Sequence, residues 1–321
     1  KSVYDYKGSL AAVDSAKLDY LSVSSSVRCS LRTAFVGLLQ AQRSLDLSRE
    51  IETIRRRNLD LVRVKYEAGS EHRGAFLTAK ADHSQALSDI QSAERSLALA
   101  RSSLCSVMGK TSSPELVAQG SLSSVDRYST APSFPALAKE HPSVLKAGVA
   151  RESARCALSS ARLANAPGIY GSGSYGKTGD SFSSMRNEWS VGVSASLSLF
   201  EGGGSYYAVK KAAAQLRQAE SDEASARSAA VVSIEKAWNA LRDSVADAAV
   251  KEEYLKAETE REKIAEARYS IGRMTFDDWT VIESGYVKAK QSFLSSQAAV
   301  LTSEAAWIQS IGGALEHETQ N

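Results

Sequence analysis

The chain is written twice. Tyr66 and Tyr269 lie 203 residues apart, and so do Gly69 and Gly272, Phe35 and Trp238, Leu38 and Leu241, Gly109 and Gly312, and Lys7 and Lys210. One constant offset with no gap makes residues 1–109 and 204–312 two copies of one unit. A solenoid needs at least three repeats to bury a continuous core. Two copies are a duplication, so the chain must fold as two like halves with something different between them.

Each copy reads as a helical hairpin. In the second, Val231, Ile234, Trp238, Leu241, Val245, Ala248 and Leu255 step by threes and fours, a heptad seam. Leu31, Phe35, Leu38 and Leu45 occupy the matching places in the first. Gly69 and Gly272 break the outgoing helices, since glycine readily takes the backbone angles that end a helix. Asp277 and Asp278 are placed to cap the second returning helix. Ala79, Ala86, Ala93 and Ala100 recur at strict sevens on the first returning helix, a seam that lets helices approach closely. Gly109 and Gly312 end the returns. The outgoing helices are expected over residues 5–66 and 205–269, each ~90 Å long at ~1.5 Å per residue. Helices of that length belong to coiled coils or to barrels built from helices. The presence of only five prolines agrees with this.

The segment between the copies, residues 110–203, has a different character. A Ser/Pro-rich connector comes first. Pro142 then suits the first turn of a helix, which is expected to run to about Asn165. "IYGSGSY", residues 169–175, reads as a first strand and "WSVGVSASLSL", residues 189–199, as a second, with a polar loop between them. The second strand alternates without a miss. Trp189, Val191, Val193, Ala195, Leu197 and Leu199 share one face, and only Ser and Gly occupy the other. Phe200, Gly202 and Gly203 form the strand–helix junction. Eleven residues match the ~9–11 that a tilted membrane strand needs. An apolar outer face with aromatics at its ends fits the girdles of membrane barrels. A two-stranded hairpin is not stable alone in water, and strands in lipid must close without edges. The hairpin therefore implies an oligomer whose subunits pool their strands.

Other classes fit less well. A net charge of +2 over 321 residues does not argue for nucleic acid. No run of ~18 apolar residues marks a membrane helix, and no signal peptide is visible. Three cysteines without CxxC spacing read as small buried residues rather than a zinc site. A disulfide between Cys29 and Cys105 remains open across the first hairpin. His72, His83, His141 and His317 carry no HExxH pattern, and no phosphate loop or GxSxG is present. Neither catalysis, a metal nor a cofactor is expected. A soluble coiled-coil scaffold or tether is the alternative reading; the heptads suit it, the alternating strand and the duplication do not.

Several motifs together resemble a known family. "LSLFEGGGS" resembles the PLF-(Asp/Glu)-GG junction of TolC-type outer-membrane efflux channels. "HPSV" followed by "ANAPGIYGSGSYG" is similar to that family's passage from helix to strand. "VKYEAGSEHRG" and "ARYSIGRMTFDDW" are similar to its two Tyr-x-x-Gly hairpin tips. The resemblance covers nearly the whole chain. It implies a mainly α fold of long antiparallel hairpins forming a periplasmic α-barrel, with a membrane β-hairpin contributing to a shared trimeric β-barrel. It also implies a homotrimer in outer-membrane lipid, most of it in the periplasm. Its partners would be a periplasmic adaptor (membrane fusion) protein and an inner-membrane pump of the RND or ABC type, and the whole would export drugs, toxins or peptides.

On this reading the chain divides into a first hairpin at 1–109, a connector and lead-in helix at 110–168, and the membrane hairpin at 169–200. The second hairpin follows at 201–313 and a tail at 314–321. The first copy lacks its own strands, so about 90 further residues are expected ahead of Lys1, by analogy with the 94 that precede the second copy. Without them the pooled barrel would fall below the ~8 strands at which such barrels begin. The family's charged gate matches Asp278. Its second position is Val281 here, and the first tip carries Ala75. The gate is therefore expected from Asp278, Asp277 and Glu283, with helix capping as the other role of the two aspartates. Tyr66, Gly69, Glu71, His72 and Arg73 in the first tip, and Tyr269, Gly272, Arg273 and Met274 in the second, are the candidate adaptor contacts.

Overall fold

The computed structural model describes residues 2–110, 115–122, 130–163, 166–179, 186–197 and 201–313. The elements are α1 (Ser2–Glu67), α2 (Arg73–Val107), α3 (Phe134–Glu140), α4 (Pro142–Leu163), β1 (Gly168–Thr178), β2 (Arg186–Ser196), α5 (Gly204–Ser270) and α6 (Phe276–Ser310). The two long hairpins are thus α1–α2 and α5–α6. The short α3 lies in what the sequence suggests is irregular connector.

The duplication reaches the backbone. All four long helices end in the same motif, with glycine at positive φ: Gly69 at 71°, Gly109 at 70°, Gly272 at 74° and Gly312 at 77°. At the first tip Gly69 N–H donates to Tyr66 O at 3.0 Å and Ser70 N–H to Lys65 O at 2.9 Å. At the second, Gly272 N–H donates to Tyr269 O and Arg273 N–H to Arg268 O. These paired bonds satisfy carbonyls that a helix end otherwise leaves bare.

The chain forms two compact units. One comprises Lys1–Tyr20 and Lys139–Ala230. In it α4 is tied to the start of α1 by Lys146–Asp19 (2.5 Å) and Ser160–Asp5 (3.0 Å), and to α5 by Arg151–Glu223 (2.7 Å). The strand pair β1–β2 belongs to this unit.

The other unit comprises Leu21–Ala138 and Val231–Asn321. The heptad positions of α5 turn inward as expected: Ile234, Trp238, Leu241 and Ala248 are buried. Trp238 meets Trp307 edge-on at 5.1 Å. On α2, Ala79, Ala86 and Ala93 are buried. Phe35 departs from the seam: it is 39% exposed, whereas its repeat mate Trp238 is 6% exposed. Trp238 packs on a second tryptophan, Trp307, whereas the residue at the matching place of the first copy is Leu104, and connector residues pack close by. Ala118 and Leu122 join Val36, Leu38, Leu39 and Leu104 in one core cluster. Ala118 N–H donates to Gln42 at 2.9 Å, and Arg101 donates to Leu116 O at 3.1 Å. Phe35 instead lines an apolar cavity of about 620 Å³ beside this connector.

The strands are displaced from expectation. β1 runs three residues past Tyr175, and β2 begins at Arg186 and ends at Ser196. Leu199, Phe200 and the tail 314–321 lie outside the described residues. Cys29, Cys105 and Cys156 are free thiols.

Candidate functional site: the hairpin tips and the strand pair

The two tips share one core. Leu59 and Val62 from α1, Ala75 and Ala79 from α2, Ala265 and Tyr269 from α5, and Phe276 and Trp279 from α6 form a single buried cluster. Small residues on α2 make room for large ones on α6. Trp279 stacks on Tyr269 at 4.3 Å and 15°, and both are 1% exposed. Tyr269 is gripped by the other hairpin as well. Its hydroxyl donates to Glu71 Oε2 at 3.0 Å, and Lys65 Nζ lies 4.8 Å from its ring centre. Burial, then Glu71, push the Tyr269 phenol well above its ordinary value. It therefore stays protonated and donates. Buried as it is, Tyr269 is not part of the exposed tip surface.

Of the remaining tip residues, Gly69, His72, Arg73, Gly272 and Arg273 are exposed, while Glu71 and Met274 are half-buried. Tyr66 is 38% exposed and stacks on Phe76 at 5.4 Å.

The helix caps differ from the sequence expectation. Asp277 and Asp278 do not cap α6; Thr275 does. Its hydroxyl accepts from Asp278 N–H at 3.2 Å and donates to Asp278 Oδ2 at 2.7 Å. A β-region backbone one residue before the helix is what a cap needs, and Thr275 has it at φ −75°, ψ 157°. The two aspartates fall instead in the first turn, where the helix dipole favours negative charge. In the first tip the equivalent residue is His72, whose Nδ1 accepts from Ala75 N–H at 3.0 Å. Replacing Thr275 by alanine should cost the α6 start about 1 kcal/mol. Hydrogen exchange of amides 276–280 would read the loss, and Thr275→Ser should restore protection.

Asp277 and Asp278 are both exposed. Glu283 is not: it is 2% exposed and pairs with Arg55 at 2.8 Å. A residue held in this way does not present charge to a lumen. Sequence spacing alone placed it one helical turn or so from Asp278 and gave no sign of its partner on α1.

In the strand pair, register brings like faces together. Ile169 is opposite Ala195, Gly171 opposite Val193, Gly173 opposite Val191 and Tyr175 opposite Trp189. Directly opposed residues share a face, so the apolar sides of both strands coincide. The other face carries Tyr170, Ser172, Ser174, Gly176 and Thr178 against Ser194, Gly192, Ser190, Glu188 and Arg186. Ser174 bonds Ser190 at 2.9 Å, and Thr178 donates to Glu188 at 2.9 Å. The apolar face is uncovered: Ile169, Trp189, Val191 and Val193 are 72–79% exposed. Beyond the strands, Gly202 at φ 59° and Gly203 at φ 86° turn the chain into α5. Two consecutive left-handed residues are costly for any other side chain, which explains the pair of glycines.

Long paired hairpins with a joint tip core and, among the described residues, one amphipathic two-stranded sheet make up the fold of the helical-barrel outer-membrane channels. A sequence profile described as "Outer membrane efflux protein" matches residues 4–110 and 135–313, and the chain belongs to that family. Solved structures agree on the fold. The open-state MtrE outer membrane channel of Neisseria gonorrhoeae superposes with a TM-score of 0.84 at 20% identity, over 97% of this chain and 72% of that one. The CmeC outer membrane channel of Campylobacter jejuni gives 0.80 at 16%, over 97% and 68%. The outer membrane protein VceC of Vibrio cholerae gives 0.79 at 17%, over 96% and 75%. Among curated proteins no sequence matches this chain.

Proposed function

We propose that this protein is the passive exit duct of a tripartite efflux or secretion system and works as a homotrimer in the outer membrane. The observation that carries the reading is the strand pair. Its apolar face is continuous across both strands and fully exposed, and a two-stranded hairpin does not persist in water. Lipid on that face, with strands of other subunits at its edges, satisfies both the apolar side chains and the backbone. The Ser-rich face then lines water. No helix among the described residues is long and apolar enough to cross a membrane. The exposed apolar face of the strand pair gives the lipid contact to Trp189, Val191, Val193, Ala195 and Leu197.

A second feature supports subunit association. Val3, Tyr6, Leu10, Val13 and Tyr20 form a heptad line on α1 and are 46–65% exposed. Apolar stripes of this kind are packed against a neighbouring helix in a coiled coil or helical barrel. Asp277 and Asp278, exposed at the start of α6, would form like-charge rings at the periplasmic mouth, a common means of selecting ions. His72, Arg73 and Arg273 offer the exposed tip surface to a periplasmic adaptor, itself linked to an RND or ABC pump. Drugs, toxins or peptides are the cargo class, and conduction needs no bond-making residue.

Light scattering of the detergent-solubilised protein, with detergent mass subtracted, tests this reading. A trimer that needs detergent is expected. A monomer or dimer that stays in solution without detergent would overturn it.

A further inference from the structure

Behind the tip core, three helices bring one guanidinium between two carboxylates. Arg55 Nη1 on α1 donates to Glu283 Oε2 on α6 at 2.8 Å and to Asp82 Oδ2 on α2 at 3.2 Å. Their side chains are 13%, 3% and 33% exposed respectively, so Glu283 is by far the most deeply placed. Three further buried features meet there. Glu283 Oε1 and Asn58 Nδ2 lie near one another without a well-formed hydrogen bond, and Trp279 Nε1 has no partner. All three side chains line one cavity of about 10 Å³, no larger than one water requires.

The charges do not balance. With both carboxylates ionised, the three groups carry −1 around a buried Glu283, and burying an unmatched charge is costly. One proton brings the sum to zero. Asp82 reaches solvent and Glu283 does not, so desolvation directs that proton to Glu283.

We propose that Glu283 is a proton-operated clasp between the two hairpins: its neutral form closes α6 onto α1, and its ionisation loosens the contact. The groups that face it are Arg55 and Asn58 from α1, Asp82 from α2, Glu262 from α5 and Trp279 from its own helix. Burial raises the carboxyl most, Asp82 and Glu262 raise it further, and Arg55 and Asn58 lower it, leaving it at about 7 against an ordinary 4.5. When the hairpins part, water returns the group to its ordinary value. The closed form therefore keeps an extra proton between about pH 4.5 and 7. Closure is strongest below that range, weakens as pH rises through it, and has lost the whole contribution above it. The clasp belongs to the hairpin pair and does not depend on the channel reading.

Two measurements on the detergent-solubilised full chain test it. Infrared titration should show a protonated-carboxyl C=O band that disappears with a midpoint near pH 7 and is missing in Glu283→Gln. Hydrogen exchange, corrected for intrinsic rates, should show residues 52–62 and 276–290 opening about tenfold more at pH 8 than at pH 6. Glu283→Gln should lose that step and stay protected at pH 8. His83→Gln, which removes the imidazole bonded to Glu52 at 3.0 Å, should keep it. A wild-type carboxyl already ionised at pH 6, or an undiminished step in Glu283→Gln, would overturn the proposal. If Glu283→Gln fails to fold, the wild-type infrared titration decides alone. Because neither readout involves transport or trimer mass, a failed clasp and a failed channel reading are told apart.

Discussion

Val193→Arg is expected to abolish assembly of the membrane barrel, while Ser194→Arg, one residue on, is tolerated. The two positions are adjacent in sequence and opposite in the sheet. Val193 lies on the apolar face across from Gly171, and Ser194 lies on the polar face across from Tyr170. Arginine facing lipid near the bilayer middle costs about 2–4 kcal/mol per copy. In the proposed trimer that cost falls three times in one closed structure, about 6–12 kcal/mol, the size of the usual margin of stability. On the water-lined face the same side chain is solvated and changes only the charge of the lumen. Folding into lipid vesicles, scored by heat-modifiable gel mobility, measures the first effect. Single-channel conductance measures the second. Equal damage from both substitutions would mean that the two faces are not lipid and water.

Trp279→Ala should destabilise the joined tips by about 3–5 kcal/mol. Trp279 is the largest of the fully buried side chains, and it touches both Tyr269 and Phe276. Its removal leaves a void where two hairpins meet, with Tyr269 stripped of its stacking partner. Trp279→Phe should cost much less, under about 1.5 kcal/mol. The smaller ring keeps most of the contact and removes an indole N–H that has no partner in the fold. Hydrogen exchange over residues 59–79 and 265–283 would separate the two variants. A Phe variant as damaged as the Ala variant would show that the core needs the full volume of the indole and not merely an aromatic ring.

Much of this architecture is local and was therefore legible. The constant offset of 203 residues announces two like hairpins, and glycine at each helix end reappears as a positive φ in the same four places. Alternation over Trp189–Ala195 needs only the two-residue period of a strand, so its two faces could be named before any partner strand was known. Family motifs, read together with that period, pointed to the outer membrane efflux fold that the profile and the solved structures bear out.

What escaped the sequence depends on contacts between distant residues. Capping is a matter of backbone angle as well as residue type, and the neighbouring aspartates hid Thr275. Phe35 obeys the same heptad as Trp238, yet its neighbours differ, with Leu104 in the place of Trp307 and connector residues 116–121 beside it. Glu283 shows the limit most plainly. Its spacing on α6 suits a charged ring, but its surroundings come from Arg55, 228 positions earlier, and from Asp82 on a third helix. Periodicity decides which way a side chain leaves its own helix. Only the tertiary structure decides whether water or a guanidinium waits there, because desolvation and charge pairing are properties of the space between elements.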